Sequence, residues 1–113
     1  MPYVPARGDL VWLDFAPQSG HEHAGRRPAL VVSHAAYNKK VGLALLCPIT
    51  SKVKGYPFEV VLPTGLAVSG AVLSDQVKSL DWRARRAARI SAAPVAVLDQ
   101  VVARIVALVA VVQ

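Results

Sequence analysis

Cysteine occurs once, at Cys47, so no disulfide can form within the chain. Long uninterrupted apolar runs are missing as well. The most apolar stretch, from residue 94 onward, is broken by Asp99, Gln100 and Arg104, which leaves far less than the roughly 20 uncharged residues a membrane span requires. The first residues, Met-Pro-Tyr-Val-Pro, carry neither the basic region nor the apolar core of a signal peptide. A cytoplasmic protein with no membrane segment is therefore expected. Linkers rich in Ser, Gly or Pro, low-complexity tracts and internal repeats are also lacking. With 113 residues there is no room for a second core, so a single domain over residues 1–113 is expected. Acidic side chains are scarce: 7 Asp and Glu stand against 13 Lys and Arg, a formal net charge of +6. An excess of this size on a small domain favours polyanionic partners, nucleic acid first and acidic protein second.

What is present is apolar material in strand-length pieces. Residues 8–15 alternate, with Leu10, Trp12 and Asp14 on one face and Val11, Leu13 and Phe15 on the other, as in a strand apolar on most of both faces. Residues 16–27 hold Pro17, Gly20 and Gly25 among polar side chains and read as a long loop. Residues 28–33 and 43–49 are near-continuous apolar runs, expected as central strands, with a turn-like Tyr37-Asn38-Lys39-Lys40 between them. Further strands are expected over 58–62, 70–76, 77–82 and 87–90. Behind Pro94 the period changes: Leu98, Val101, Val102, Ile105, Leu108, Val109 and Val112 recur at helical spacing. Short strands followed by one terminal helix predict a mainly β fold, a small antiparallel barrel capped by a C-terminal helix.

Three polar clusters could carry chemistry. The loop Gly20-His21-Glu22-His23-Ala24-Gly25-Arg26-Arg27-Pro28 runs straight into an apolar strand. Cleavage of an RNA phosphodiester needs a base or orienting group for the 2′-hydroxyl, a cation for the charged phosphorane and a proton source for the leaving oxygen. Glu22 suits the first role. Arg27, placed where loop meets strand, can offer paired N–H donors to phosphate. The second cluster is Thr50-Ser51-Lys52-Val53-Lys54-Gly55-Tyr56-Pro57, and the third is Asp75-Gln76-Val77-Lys78-Ser79, whose polar residues alternate as if lining a groove. The run Arg83-Ala84-Arg85-Arg86-Ala87-Ala88-Arg89 adds positive surface. Each cluster, taken alone, also reads as an ordinary solvated loop or turn.

Taken together and in this order, the clusters resemble the MazF/PemK family of toxin ribonucleases. The resemblance rests on Gly8-Asp9-Leu10-Val11-Trp12-Leu13-Asp14-Phe15, Arg27-Pro28-Ala29-Leu30-Val31-Val32-Ser33, Lys54-Gly55-Tyr56-Pro57-Phe58-Glu59-Val60, Asp75-Gln76-Val77-Lys78-Ser79 and Trp82-Arg83-Ala84-Arg85. It implies an SH3-like small barrel of the plasmid-maintenance-toxin (CcdB/MazF) type, an intertwined homodimer, and sequence-specific cleavage of single-stranded RNA without a metal or other cofactor. The products would carry 2′,3′-cyclic phosphate and 5′-hydroxyl ends, and loss of mRNA would stop translation. A cognate acidic, MazE-like antitoxin is the implied regulator. Residue by residue, the resemblance assigns catalysis to Glu22, Arg27 and Thr50, and RNA contacts to Asp14, Phe15, Lys54, Tyr56, Gln76 and Lys78, with Arg85 in the adjoining basic run.

A guanidinium is a poor proton donor at neutral pH, so Arg27 is expected to stabilise charge, and His21 or His23 could supply the proton. Trp12 and Trp82 are expected in the core or a dimer contact, and Cys47 as a small buried hydrophobe. Three other readings stay open at this point. A metal site at His21-Glu22-His23 lacks a second ligand cluster in the sequence. A topoisomerase poison of the CcdB type would end in a tryptophan-containing segment, whereas this chain ends Val109-Ala110-Val111-Val112-Gln113. A barrel that binds nucleic acid without cutting it is the third.

Overall fold

Alternating apolar side chains make strands that bury both faces, and the computed structural model, which describes residues 2–15 and 25–111, is built around them. Strand β1 spans Asp9–Phe15, β2 Gly25–Val31, β3 Ala44–Thr50, β4 Glu59–Val61, β5 Ala71–Leu73, β6 Lys78–Leu80 and β7 Ala88–Ala92. Helix α1 covers Ala35–Val41 and α2 Val95–Val109, with a 3-10 turn at Ser74–Gln76. All pairings are antiparallel, in the order β4-β5-β3-β2-β1-β7. Strand β3 organises the sheet: β2 takes one edge, while β6 and β5 share the other, on its first and last halves.

Period-two alternation divides the core into two layers. Leu10, Leu30 and Cys47 sit across from one another on one face and pack against Val97, Leu98 and Val101 of α2. Val11, Leu13, Ala29, Val31 and Leu46 fill the other face, closed by Trp82. Each fully buried Leu or Val contributes about 1.5–3 kcal/mol of transfer free energy. Trp82 is thus core, but Trp12 is 40% exposed. The C-terminal helix begins behind Pro94 as expected, yet Leu108 and Val109 at its far end are exposed. Val112 lies outside the described residues.

Four expectations need correction. The strand order leaves β4 and β7 as ends, so among the described residues the sheet is open, not a closed barrel. The segment around Tyr37 is a helix, because Gly42 at φ 81° caps it by donating its N–H to the Asn38 carbonyl. Arg26 and Arg27 belong to β2 and not to the preceding loop. Residues 74–76 turn in 3-10 form where a continuous strand was expected, since the chain must leave β5 and return along β3 as β6.

Asn38 holds this architecture at a point no apolar residue could. Fully buried, it donates its amide to the carbonyls of Pro5 (2.8 Å) and Ser33 (3.1 Å) and accepts the Ser33 hydroxyl. Its carbonyl accepts the Trp82 indole N–H at 3.0 Å, and Ser33 Oγ accepts the N–H of Leu45 at 2.8 Å. Truncation would strand several buried polar groups at once. Asn38→Ala is expected to lower stability by about 2–4 kcal/mol, seen as a lower urea midpoint with an unchanged slope.

Candidate active site

The β1-β2-β3 register decides what meets at the rim of the sheet. Leu13 faces Arg27 across β1-β2, and Ala29 faces Pro48 across β2-β3. The β2-β3 pairing ends at Ala29-Pro48, and Thr50 pairs with Ala71 of β5, but strand alternation places Arg27 on the side of Ala29 and Thr50 on the side of Pro48. Arg27 and Thr50 therefore extend the same face as Ala29, Val31 and Leu46. Arg27 is half-buried, and its Nε is buried with no hydrogen-bond partner among the described residues. Buried orphan donors are uncommon in folded proteins and cluster at sites that await a ligand.

Two more of the expected residues join this face. Lys78 lies opposite Leu46, and its Nζ stands 6.0 Å from the centroid of the Phe15 ring. Thr50 continues into a cleft of about 310 Å³ whose walls include Lys54, Tyr56, Phe58, Glu59, Asp75 and Gln76. Tyr56 is 61% exposed, with the Lys54 ammonium 6.0 Å from its ring centroid. The lining combines two lysines, Lys52 and Lys54, with the aromatic rings of Tyr56 and Phe58, side chains of the kinds that hold phosphates and stack on bases of single-stranded nucleic acid, and two acids, Glu59 and Asp75. Gly70 lets this corner close: a Cβ there would fall 2.0 Å from the Thr50 carbonyl oxygen.

Asp14 and Arg85 are placed differently. Asp14 lies opposite Arg26, on the face away from Arg27. Its carboxylate accepts from Arg86 Nε at 2.6 Å and Arg26 Nη1 at 2.9 Å, and Arg26 also donates to the Arg86 carbonyl. Arg86 has a left-handed backbone, φ 53°, uncommon for a residue with a side chain. Arg85 donates to the Asp14 carbonyl at 3.3 Å. Glu22, His21 and His23 lie outside the described residues, which also puts the three-residue metal motif beyond them. Among the described residues no cluster of three or more His, Cys, Asp or Glu converges on a metal position. No described helix is long and apolar enough to cross a membrane. Cys47 is buried in the α2-facing layer, and burial first, then the charge of Asp75, pushes its thiol up to about 12.

The chain matches the family model described as a PemK-like, MazF-like toxin of type II toxin-antitoxin system over residues 6–109. It belongs to that family. The Escherichia coli (strain K12) protein named endoribonuclease toxin MazF is 55% identical over 87 residues, 77% of this chain and 78% of its own. The endoribonuclease toxin ChpB of the same organism is 39% identical over 109 residues, 91% of this chain and 92% of its own. Among solved structures, a MazE-MazF crystal structure from Deinococcus radiodurans superposes with a TM-score of 0.90 at 56% identity, covering 98% of this chain and 100% of that one.

Sequence reasoning gave Glu59 no role beyond its place in the segment Lys54 to Val60, although the signal was there: an acid inside the apolar run Phe58-Glu59-Val60-Val61 of an acid-poor chain. It also read Asp14 by its place at the loop and not by its pairing partner.

Hydrogen bonds from Arg86 and then Arg26 hold the Asp14 carboxyl below its ordinary range. A lowered folded-state value means that the cluster's contribution is complete above the unfolded carboxylate pKa of about 4 and is lost as pH falls through the folded value. The stability difference between wild type and Asp14→Asn is expected to stay flat from roughly pH 7 to 5 and to shrink below about pH 4. Urea titrations across that range read it directly.

Proposed function

We propose that this protein is the toxin of a type II toxin-antitoxin pair, a metal-independent endoribonuclease that cuts single-stranded RNA at a short sequence. The observation that carries the reading is the half-buried guanidinium of Arg27, whose Nε has no partner among the described residues, on the side of the sheet that strand alternation shares with Thr50, a residue that lines a cleft with Lys52, Lys54 and Tyr56. Family membership supports it, as do two relatives named endoribonuclease toxins at 55% and 39% identity. Neither relative is named as a topoisomerase poison.

Chemistry follows from charge. Attack of the 2′-oxygen on phosphorus builds negative charge on the non-bridging oxygens, and the 5′-oxygen departs as the new bond to the 2′-oxygen closes a 2′,3′-cyclic phosphate. A fixed cation in a half-buried pocket stabilises that charge more than it would in water. Arg27 supplies it, and the Thr50 hydroxyl can donate to one of the same oxygens. Glu22, or the loop to which it belongs, prepares the 2′-hydroxyl, and the 5′-oxygen takes its proton from solvent or from a histidine of that loop. Lys54, Tyr56, Gln76 and Lys78 hold the strand, with Phe15 beside Lys78. The catalytic unit is a homodimer in the cytoplasm.

Regulation belongs to an acidic antitoxin that competes for the same cationic surface. The net charge of +6 favours such a partner, and the similar Deinococcus structure at 56% identity is a MazE-MazF complex.

The test is incubation of the purified protein with a long single-stranded RNA in excess chelator, beside Arg27→Ala. Discrete cuts with cyclic-phosphate ends are expected from wild type, reduced at least about a hundredfold in the variant, while RNA affinity changes by less than about tenfold. Undiminished cutting by Arg27→Ala would remove Arg27 from the mechanism.

A further inference from the structure

Glu59 is a buried acid on the wall of the cleft that also holds Lys52 and Lys54, and its position calls for a physical reason. The side chain is buried at 8% exposure on the short strand β4, next to the core residue Val60. A carboxylate in such a place is costly unless its oxygens are filled by donors. They are filled from one direction: Lys54 donates its backbone N–H to Oε1 at 3.0 Å and to Oε2 at 3.3 Å, and Gly55 donates to Oε1 at 2.8 Å. Gly55 has φ 81°, which turns consecutive N–H groups toward one acceptor.

These bonds matter because of what the loop otherwise lacks. Residues 51–57 are all exposed and form no strand or helix. Their other tethers lie toward the two ends, where Lys52 donates its N–H to Thr50 Oγ1 at 3.1 Å, Glu59 N–H donates to the Tyr56 carbonyl at 3.0 Å and Arg104 Nε donates to the Pro57 carbonyl at 2.9 Å. Mid-loop, at the residues that carry the Lys54 ammonium and adjoin Tyr56, the Glu59 carboxylate is the acceptor. A long charged side chain on a loose loop loses freedom when it grips a phosphate; anchoring its backbone beforehand reduces that loss.

We propose that Glu59 is a positioning residue for RNA binding: it fixes the backbone of Lys54 and Gly55 so that Lys54 and Tyr56 stand over the cleft ready for a nucleotide. The assignment rests on the ribonuclease reading and deepens it. Glu59 touches no reacting atom. It acts on substrate affinity through the loop and leaves the chemical step to Arg27 and Thr50.

The experiment measures cleavage of a short single-stranded RNA by wild type, Glu59→Ala, Glu59→Gln and Lys54→Ala, together with RNA affinity over a salt series. Glu59→Ala is expected to raise KM about tenfold with kcat within about twofold, and to flatten the slope of log affinity against log salt by about one, as Lys54→Ala does. Glu59→Gln is expected within about threefold of wild-type KM, since one carbonyl oxygen can accept both N–H groups that Oε1 now receives. Unchanged KM in Glu59→Ala, tighter binding, or equal loss in the Ala and Gln variants would overturn the proposal. Amide hydrogen exchange of the wild-type protein covers the case in which Glu59→Ala fails to fold: Lys54 and Gly55 should be protected at least about tenfold over an open loop, and unprotected amides there would also overturn it. If the wild-type protein cut no RNA, the ribonuclease reading would fail, while the exchange data and the salt slope for RNA binding would still decide the role of Glu59.

Discussion

The antiparallel register that joins β1, β2 and β3 is the constraint on which the rest of the molecule depends. Because side chains alternate with period two, one register sends Leu10, Leu30 and Cys47 under α2 and Val11, Ala29 and Leu46 under Trp82. Followed to the rim, the same alternation carries Arg27 onto the face shared with Thr50 and Lys78, and turns Arg26 to the opposite face, where it meets Asp14. A slip by one residue would exchange the two arginines and move every side chain of the strand to the other layer. The core and the site are thus specified by one set of pairings, which is how 113 residues can supply both.

The scarcity of acids in this chain has a structural counterpart. Of the six acids among the described residues, four serve as acceptors that pin backbone or neighbouring side chains. Asp9 receives Tyr3 and the N–H of Ala6, Asp14 receives Arg26 and Arg86, Glu59 receives Lys54 and Gly55, and Asp81 receives the N–H of Ala84. Burial first, and then its bond to Asp9, raise the Tyr3 hydroxyl well above its ordinary value, so it remains a donor at any physiological pH. Negative charge is spent holding loops in place, and the surplus of positive charge is left to face solvent and polyanions.

Much of this was legible in the sequence because apolar alternation is a strong signal. Leu10 to Phe15, the run Ala29-Leu30-Val31 and the helical spacing from Leu98 to Ile105 all point to the elements they form. What was not legible depends on contacts between distant residues. The helix at Ala35–Val41 is polar and short, and it is fixed by Asn38, whose partners Pro5 and Trp82 lie 33 and 44 residues away. Arg27 reads as a candidate phosphate clamp from its place before an apolar run, whereas the side of the sheet it shares with Thr50 follows only from strand alternation. The pairing of Asp14 with Arg86, 72 residues on, likewise has no local signal. The exposed Trp12 and the exposed end of α2 follow no local rule, since the sequence there is as apolar as the core.

The central claim is that the scissile phosphate sits between Arg27 and Thr50, and the most direct test is a structure of the protein bound to a short single-stranded RNA whose 2′-hydroxyl at the cleavage position is replaced by hydrogen. The account predicts the uncut phosphate within hydrogen-bond reach, about 2.7–3.2 Å, of the Arg27 guanidinium and the Thr50 hydroxyl, with neighbouring bases in the cleft beside Tyr56 and Gln76. A phosphate bound instead on the opposite face, against Arg26 and Arg86, would contradict it.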